Sequence, residues 1–320
     1  MKPNVYITEE IPKEVEQYIA GHCNYEIWKG DQTIPRKHLL QNLQDKHGLL
    51  NFGVTIDEEL LQAAPHLQVV SNISVGYDNF DTNVMKAHNI MGTNTPYVLD
   101  DTVADLIIGL MLTASRRICE MNSYVKEGRW EDQIHKEYFG LDVHHATIGI
   151  IGMGRIGEVV AKRAALGFDM NVLYYNRRRK EKAEKAYHAV YCNLDELLQT
   201  SDFIVLMTPL TEETYHLIGE REFKQMKKTA IFINASRGNT VDEKALFTAL
   251  QQKQIFAAGL DTFTHEPVAK DNPLLQLNNV ITLPHIGSAT QKTRYDMAMT
   301  AAQNLVAALY GKTPPYVVTK

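Results

Sequence analysis

Short apolar runs, rich in β-branched residues, recur along the chain and alternate with stretches whose apolar residues fall three and four positions apart. The runs fit strands buried on both faces, and the stretches between them fit amphipathic helices. Over the first hundred residues the pattern predicts strands at 5–8, 48–54, 68–72 and 89–92, and a helix at 12–20. Residues 102–128 then predict one long helix, with Thr102 as N-cap, Asp105 three positions on, and Gly128 as its stop. A helix of that length is suited to bridge two domains. A second series predicts strands at 147–151, 171–175, 190–191, 203–207, 230–234, 257–260 and 280–283, most of them separated by helical segments. That alternation is the signature of a parallel, doubly wound sheet. The last helix, 291–309, has no strand partner in the second series and is expected to return to the first. The expected fold is therefore α/β, two doubly wound domains, with the domain at 101–286 inserted in a discontinuous one formed by 1–100 and 287–320.

Composition narrows the partners. With 320 residues the chain can build two domains of ordinary size. Its 33 basic and 38 acidic residues give a net charge of -5, which argues against nucleic acid as a partner, since phosphate neutralisation needs a basic face. Cys23, Cys119 and Cys192 lie far apart with no CxxC pair, which suits a reducing compartment and predicts no metal site. The opening MKPNVYITEEIPKEV has acidic residues where a signal peptide needs its apolar region. The longest apolar stretch, 103–114, is interrupted by Asp105 and is too short to span a bilayer. A cytoplasmic protein with no membrane partner is the expectation.

The strongest local motif is GMGRIG: Gly152, Gly154 and Gly157, with Arg155 and Ile156 between them. A lone GxGxxG is weak evidence, but this one follows the strand ending at Ile151 and opens the helical stretch EVVAKRAALGF. In a dinucleotide fingerprint the first glycine allows the tight turn, the second admits pyrophosphate close to the backbone, and the third lets helix and strand pack. The helix N-terminus adds N–H groups and the positive end of its dipole. The next strand, VLYY, runs into Asn176-Arg177-Arg178-Arg179-Lys180. An NAD-preferring site carries an acidic residue there for the ribose hydroxyls; here guanidinium groups stand where a 2′-phosphate would lie. The expected cofactor is NADPH, with NADH also possible. The bland alternative is a solvated basic start to a helix.

Three later strand ends carry the remaining chemistry: Arg237 after AIFIN, Glu266 after FAAGL and Asp261, and His285 after NVITL. Singly they read as a surface ion pair, a turn residue before proline and a satisfied polar side chain. Together they suit a 2-oxo acid. Arg237, always charged, can hold the carboxylate and polarise the carbonyl. His285 can deliver a proton as hydride arrives, and a carboxylate on its other ring nitrogen would orient it and favour its protonated form.

GMGRIG, INASRG, the HEP turn and PHIGSAT, together with SVGYDNFD, DDTVADLIIGL and VKEGRW, resemble the D-isomer-specific 2-hydroxyacid dehydrogenases. Within that family they are most similar to the glyoxylate/hydroxypyruvate reductase B group, also called 2-ketogluconate reductases. The resemblance implies a Rossmann cofactor domain inserted in a flavodoxin-like substrate domain. It also implies catalytic roles for Arg237, Glu266 and His285. Cofactor contacts are implied for Val103, Gly152, Gly154, Arg155, Ile156, Gly157, Asn176, Arg177, Arg178, Thr208, Pro209, Ala235, Ser236 and Asp261. Val75, Gly76, Arg237, His285 and Ser288 would contact the small 2-oxo or 2-hydroxy acid. The resemblance further implies a homodimer, with Trp130 reaching a neighbouring subunit, and closure of the two domains over substrate. The alternatives are a lactate- or phosphoglycerate-type dehydrogenase, or a non-enzymatic NAD(P)-sensing protein. No residues remain for the regulatory domain that phosphoglycerate enzymes often carry, and Glu266 argues against formate dehydrogenase.

Overall fold

The structure, a computed structural model, describes residues 2–319. The chain divides into two compact units, Met1–Leu99 with Ser288–Lys320, and Asp100–Gly287.

In the first unit, β1 (Asn4–Ile7), β2 (Asn24–Ile27), β3 (Gly48–Asn51), β4 (Val69–Asn72) and β5 (Met91–Thr93) form a parallel sheet in the order β2-β1-β3-β4-β5, the flavodoxin-like order. β3 and β4 are buried along their whole length, as strands covered by helices on both faces must be. Helix Gln291–Leu309 returns to this unit and packs on β3, β4 and β5. Its small inner residues Ala298, Ala301 and Ala302 allow close approach to the sheet.

In the second unit, β6 (Thr147–Ile151), β7 (Asn171–Tyr175), β8 (Val190–Tyr191), β9 (Phe203–Leu206), β10 (Ile231–Asn234), β11 (Ala257–Leu260) and β12 (Val280–Thr282) form a seven-stranded parallel sheet. The order is β12-β11-β10-β9-β6-β7-β8, with the chain reversing direction beside β6, as in a Rossmann sheet.

Two expectations need correction. β2 is absent from the sequence reading because NYEI is an edge strand, half exposed along its length, with no apolar run to mark it. The long helix is two helices, Asp100–Ser115 and Ile118–Lys126, and Thr102 lies inside the first instead of capping it. Between them Arg117 adopts a left-handed φ of 52°. The break comes from tertiary contact: the N–H of Leu141 takes the carbonyl of Ser115 at 2.9 Å, and a Cβ on Gly140 would stand 2.3 Å from that oxygen. Gly128 does follow the second helix, with φ 72°. Among the described residues no helix is long and apolar enough to cross a membrane.

Candidate active site

The glycine loop joins β6 to helix Arg155–Phe168, and its three glycines differ in what surrounds them. Gly152 has φ 102°, and a Cβ there would meet the Met207 backbone at 2.7 Å. A Cβ on Gly157 would come within 2.6 Å of the Gly152 carbonyl. Gly154 faces open space, with nothing within 4 Å, and as N-cap it supplies no side chain to the first helical turn. The open glycine and the uncapped helix start fit a pyrophosphate, which would take the N–H groups that no capping side chain takes. Arg155 reaches back to Asp100, Nε to Oδ2 3.1 Å, while Ile156 is half-buried beside it. Burial pushes the Asp100 carboxyl upward, against the pull of Arg155.

Where β7 ends, Asn176 turns its amide back to the Arg178 carbonyl at 3.0 Å. Arg177 and Arg178 are exposed and form no ion pair within 4 Å among the described residues, whereas Arg179 is held bidentately by Glu184. Across β6, the buried Thr208 hydroxyl has no partner among the described residues, and the Pro209 carbonyl accepts the Thr214 hydroxyl at 2.6 Å.

The charged residues stand on the loops after β10, β11 and β12. Asn234, the last residue of β10, shapes the first of these. Its amide donates to the Arg237 carbonyl at 3.0 Å, and its oxygen accepts the Ser236 N–H and hydroxyl at 3.0 and 2.8 Å. Ala235 lies half-buried between them. Gly238 presses this loop onto the next, for a Cβ there would lie 1.9 Å from the Phe263 carbonyl carbon. Arg237 Nη1 donates to the Ser236 carbonyl at 2.9 Å.

Glu266 binds in two directions. Oε1 accepts the Phe263 N–H at 2.9 Å, and Oε2 meets His285 Nδ1 at 2.7 Å. Burial works to raise its carboxyl. The His285 and Phe263 hydrogen bonds and the His285 and Arg237 charges prevail, holding it below the usual carboxylate range. With Glu266 ionised, Nδ1 carries the proton and Nε2 is the ring atom left to face a substrate. His285 itself has φ 52°, a conformation that costs a non-glycine residue energy and needs support. Asp261 gives that support. It is 1% exposed, and its two oxygens accept the N–H groups of Ile286 and Gly287, each at 2.8 Å. Burial raises its pKa, opposed by those hydrogen bonds and by the His285 charge. Val103 lies 3.4 Å from where a Gly287 Cβ would be, so the same turn rests on the helix that opens the unit.

Val75 and Gly76 belong to the first unit, in the loop after β4. Their carbonyls are pinned: Val75 O by the Asn94 amide at 2.8 Å, Gly76 O by the Ser74 hydroxyl at 2.6 Å and the Asn72 amide at 3.3 Å. Among the described residues, the N–H groups of Val75 and Gly76 donate to no acceptor. A fixed loop with two unused N–H groups fits a carboxylate. Ser288 follows the histidine turn and is half-buried, its carbonyl taken by the Thr290 N–H at 2.9 Å. The supporting residues Asn72, Asn94, Asp100 and Asn234 escaped the sequence reading, because each matters through a partner distant in the chain or through loop geometry.

A Rossmann-ordered sheet carrying a glycine loop and a histidine–carboxylate pair on the same edge defines a nicotinamide-dependent dehydrogenase. The chain belongs to the D-isomer specific 2-hydroxyacid dehydrogenase family, whose NAD binding domain model matches residues 108–287. It is 48% identical over 311 residues to the glyoxylate/hydroxypyruvate reductase B of Yersinia pestis (strain Pestoides F), covering 97% of this chain and 95% of that one. A solved protein of Thermus thermophilus superposes with a TM-score of 0.92 at 37% identity, covering 98% of this chain and 99% of that one. The NADPH-dependent glyoxylate/hydroxypyruvate reductase of Sinorhizobium meliloti, solved with NADP and malonate, gives 0.87 at 29% identity, covering 99% and 97%.

Proposed function

We propose that the chain reduces a small 2-oxo acid (glyoxylate, hydroxypyruvate or 2-ketogluconate) to the D-2-hydroxy acid with NADPH. The observation that carries this reading is the 2.7 Å pairing of His285 Nδ1 with Glu266 on the edge that also presents Arg237. Bound nicotinamide supplies the hydride. His285 delivers a proton to the carbonyl oxygen from Nε2, and Glu266 fixes the orientation of the ring. Arg237 holds the carboxylate and polarises the carbonyl, and Val75 and Gly76 offer N–H groups suited to a carboxylate. Gly152, Gly154, Arg155, Ile156 and Gly157 hold the pyrophosphate; Asn176, Arg177 and Arg178 hold the 2′-phosphate. Thr208, Pro209, Ala235, Ser236, Asp261 and Val103 line the rest of the cofactor site, and Ser288 the substrate. The relatives named as glyoxylate/hydroxypyruvate reductases support the substrate class, and the NADPH-dependent one supports the cofactor.

The reading includes a cytoplasmic homodimer. Its support is three cysteines free of disulfides and a set of exposed apolar side chains (Ile118, Val125, Trp130, Ile134 and Phe139) clustered in sequence after the helix break. Steady-state oxidation of NADPH and NADH, with each of the three acids in turn, tests the reaction. Faster turnover with NADPH on any of them supports it. Cofactor binding without turnover on all three contradicts it.

A further inference from the structure

Four basic residues follow β7, yet the structure treats them unequally. Tyr174 is fully buried, and its hydroxyl donates to Glu184 Oε1 at 2.5 Å while accepting the Lys180 N–H at 2.7 Å. Arg179 completes the network, Nε to Oε1 at 3.0 Å and Nη2 to Oε2 at 2.8 Å, with its guanidinium 5.8 Å from the centre of the Tyr191 ring. Tyr191 in turn donates its hydroxyl to the Asn176 carbonyl at 3.2 Å. The segment is thus pinned at Asn176 and at Lys180, and the guanidinium groups of Arg177 and Arg178 are left outside the network.

Glu184 is the point of interest, because a carboxylate beside a 2′-phosphate site repels the dianion it should admit. Two donors occupy this carboxylate, and one of them is a cation. The hydrogen bonds from Arg179 and Tyr174 hold Glu184 below its ordinary range, so the carboxylate is ionised and paired.

We propose that Arg179 promotes NADPH selection as the counter-ion of Glu184, not as a ligand of the 2′-phosphate, and that Tyr174, Glu184 and Arg179 are positioning residues for Asn176, Arg177 and Arg178. The proposal rests on the NADPH reading above and goes beyond it, dividing three adjacent arginines into two that bind and one that neutralises.

A double-mutant cycle read by equilibrium binding separates the two roles. Dissociation constants for NADPH and for NADH are measured from nicotinamide fluorescence on the wild type, Arg179→Met, Glu184→Gln and the double variant. Arg179→Met is expected to weaken NADPH about tenfold, through the bare carboxylate, and to leave NADH within about twofold. Adding Glu184→Gln removes that charge and is expected to return NADPH to within about threefold of wild type. Tyr174→Phe, which keeps the buried ring, is expected to weaken NADPH a few-fold and leave NADH unchanged. A double variant as weak as Arg179→Met would mean that Arg179 touches the phosphate, and the proposal falls. It falls equally if Arg179→Met changes nothing, or if NADH is lost in step with NADPH. The wild-type ratio of the two constants tests the NADPH reading by itself.

Discussion

Both sheets are parallel and carry polar residues at the C-terminal ends of some of their strands, Asn51 and Asn72 in the first and Asn234 in the second, but the two edges are polar in different ways. At the first, neutral amides carry the network: Asn51 donates to Asn72 at 2.8 Å, Asn72 to Asn79 at 2.8 Å, and Asn79 to the Val54 carbonyl at 2.7 Å. Their effect is to fix backbone, and among the described residues the N–H groups of Val75 and Gly76 have no acceptor. At the second edge, ionisable groups carry the network, with Asp261 bracing the turn of His285, and Glu266 paired to its ring. The amide network holds a group in place without changing its own protonation. A charged edge can move a proton. On the function proposed above, the loop of the first sheet would position substrate and the loops of the second would carry the chemistry.

The comparison predicts effects of different size and kind. Arg237→Ala should lower kcat/KM by about a thousandfold or more, as loss of an electrostatic stabiliser does, with the NADPH dissociation constant unchanged; turnover near normal would remove Arg237 from the chemistry. Glu266→Gln should lower kcat by on the order of a hundredfold, within the range of general acid–base contributions. The pH dependence has a definite sign. The folded pKa of Glu266 is depressed, so its bond to His285 is in place above the ordinary carboxylate range and is lost as pH falls through the folded value. The acid limb of the rate profile should therefore lie below the range of a free glutamate, and Glu266→Gln should erase it.

At the first edge the expected loss is smaller and falls on a different constant. Asn94→Leu leaves the Val75 carbonyl without its donor, a change worth about 1–3 kcal/mol. That should raise KM for the oxo acid by tenfold or more and leave kcat and cofactor affinity alone. A fall in kcat with KM unchanged would break the division between the edges. The smallest effect concerns stability. Glu9 follows β1, and burial raises its carboxyl to about 7, with Arg294 opposing. Its folded pKa exceeds the unfolded one, so stability is greatest at low pH and declines as pH rises toward 7. Glu9→Gln should therefore raise Tm at pH 8, by on the order of 1–3 kcal/mol of stability, and do nothing at pH 4. Equal Tm shifts at both pH values would contradict this.

Much of the second sheet was legible. β6, β7, β8 and β11 run over the residues that the pattern predicts, and β6 and β11, covered on both faces, read as short apolar runs. The break at Arg117 was not, since no glycine or proline stands there and the cause is Leu141 docking on Ser115. The site divides the same way. Arg237, Glu266 and His285 announce themselves by type and by place at strand ends, and the structure brings Glu266 and His285 into contact. Glu184 was invisible as a partner of Arg179, because a Glu inside a short charged helix looks like any solvated residue until Tyr174 and Arg179 close on it. Asn72 and Asn94 were hidden for a related reason: their donors act on backbone carbonyls, and no side-chain motif records that.

The most direct test of the account sets His285→Ala beside the wild type, following NADPH oxidation with hydroxypyruvate and, separately, NADPH binding. The account predicts that most reduction disappears while the NADPH dissociation constant stays within about twofold, since the imidazole acts on substrate and not on the cofactor. Retained turnover, or a collapse of NADPH affinity in step with activity, would contradict it.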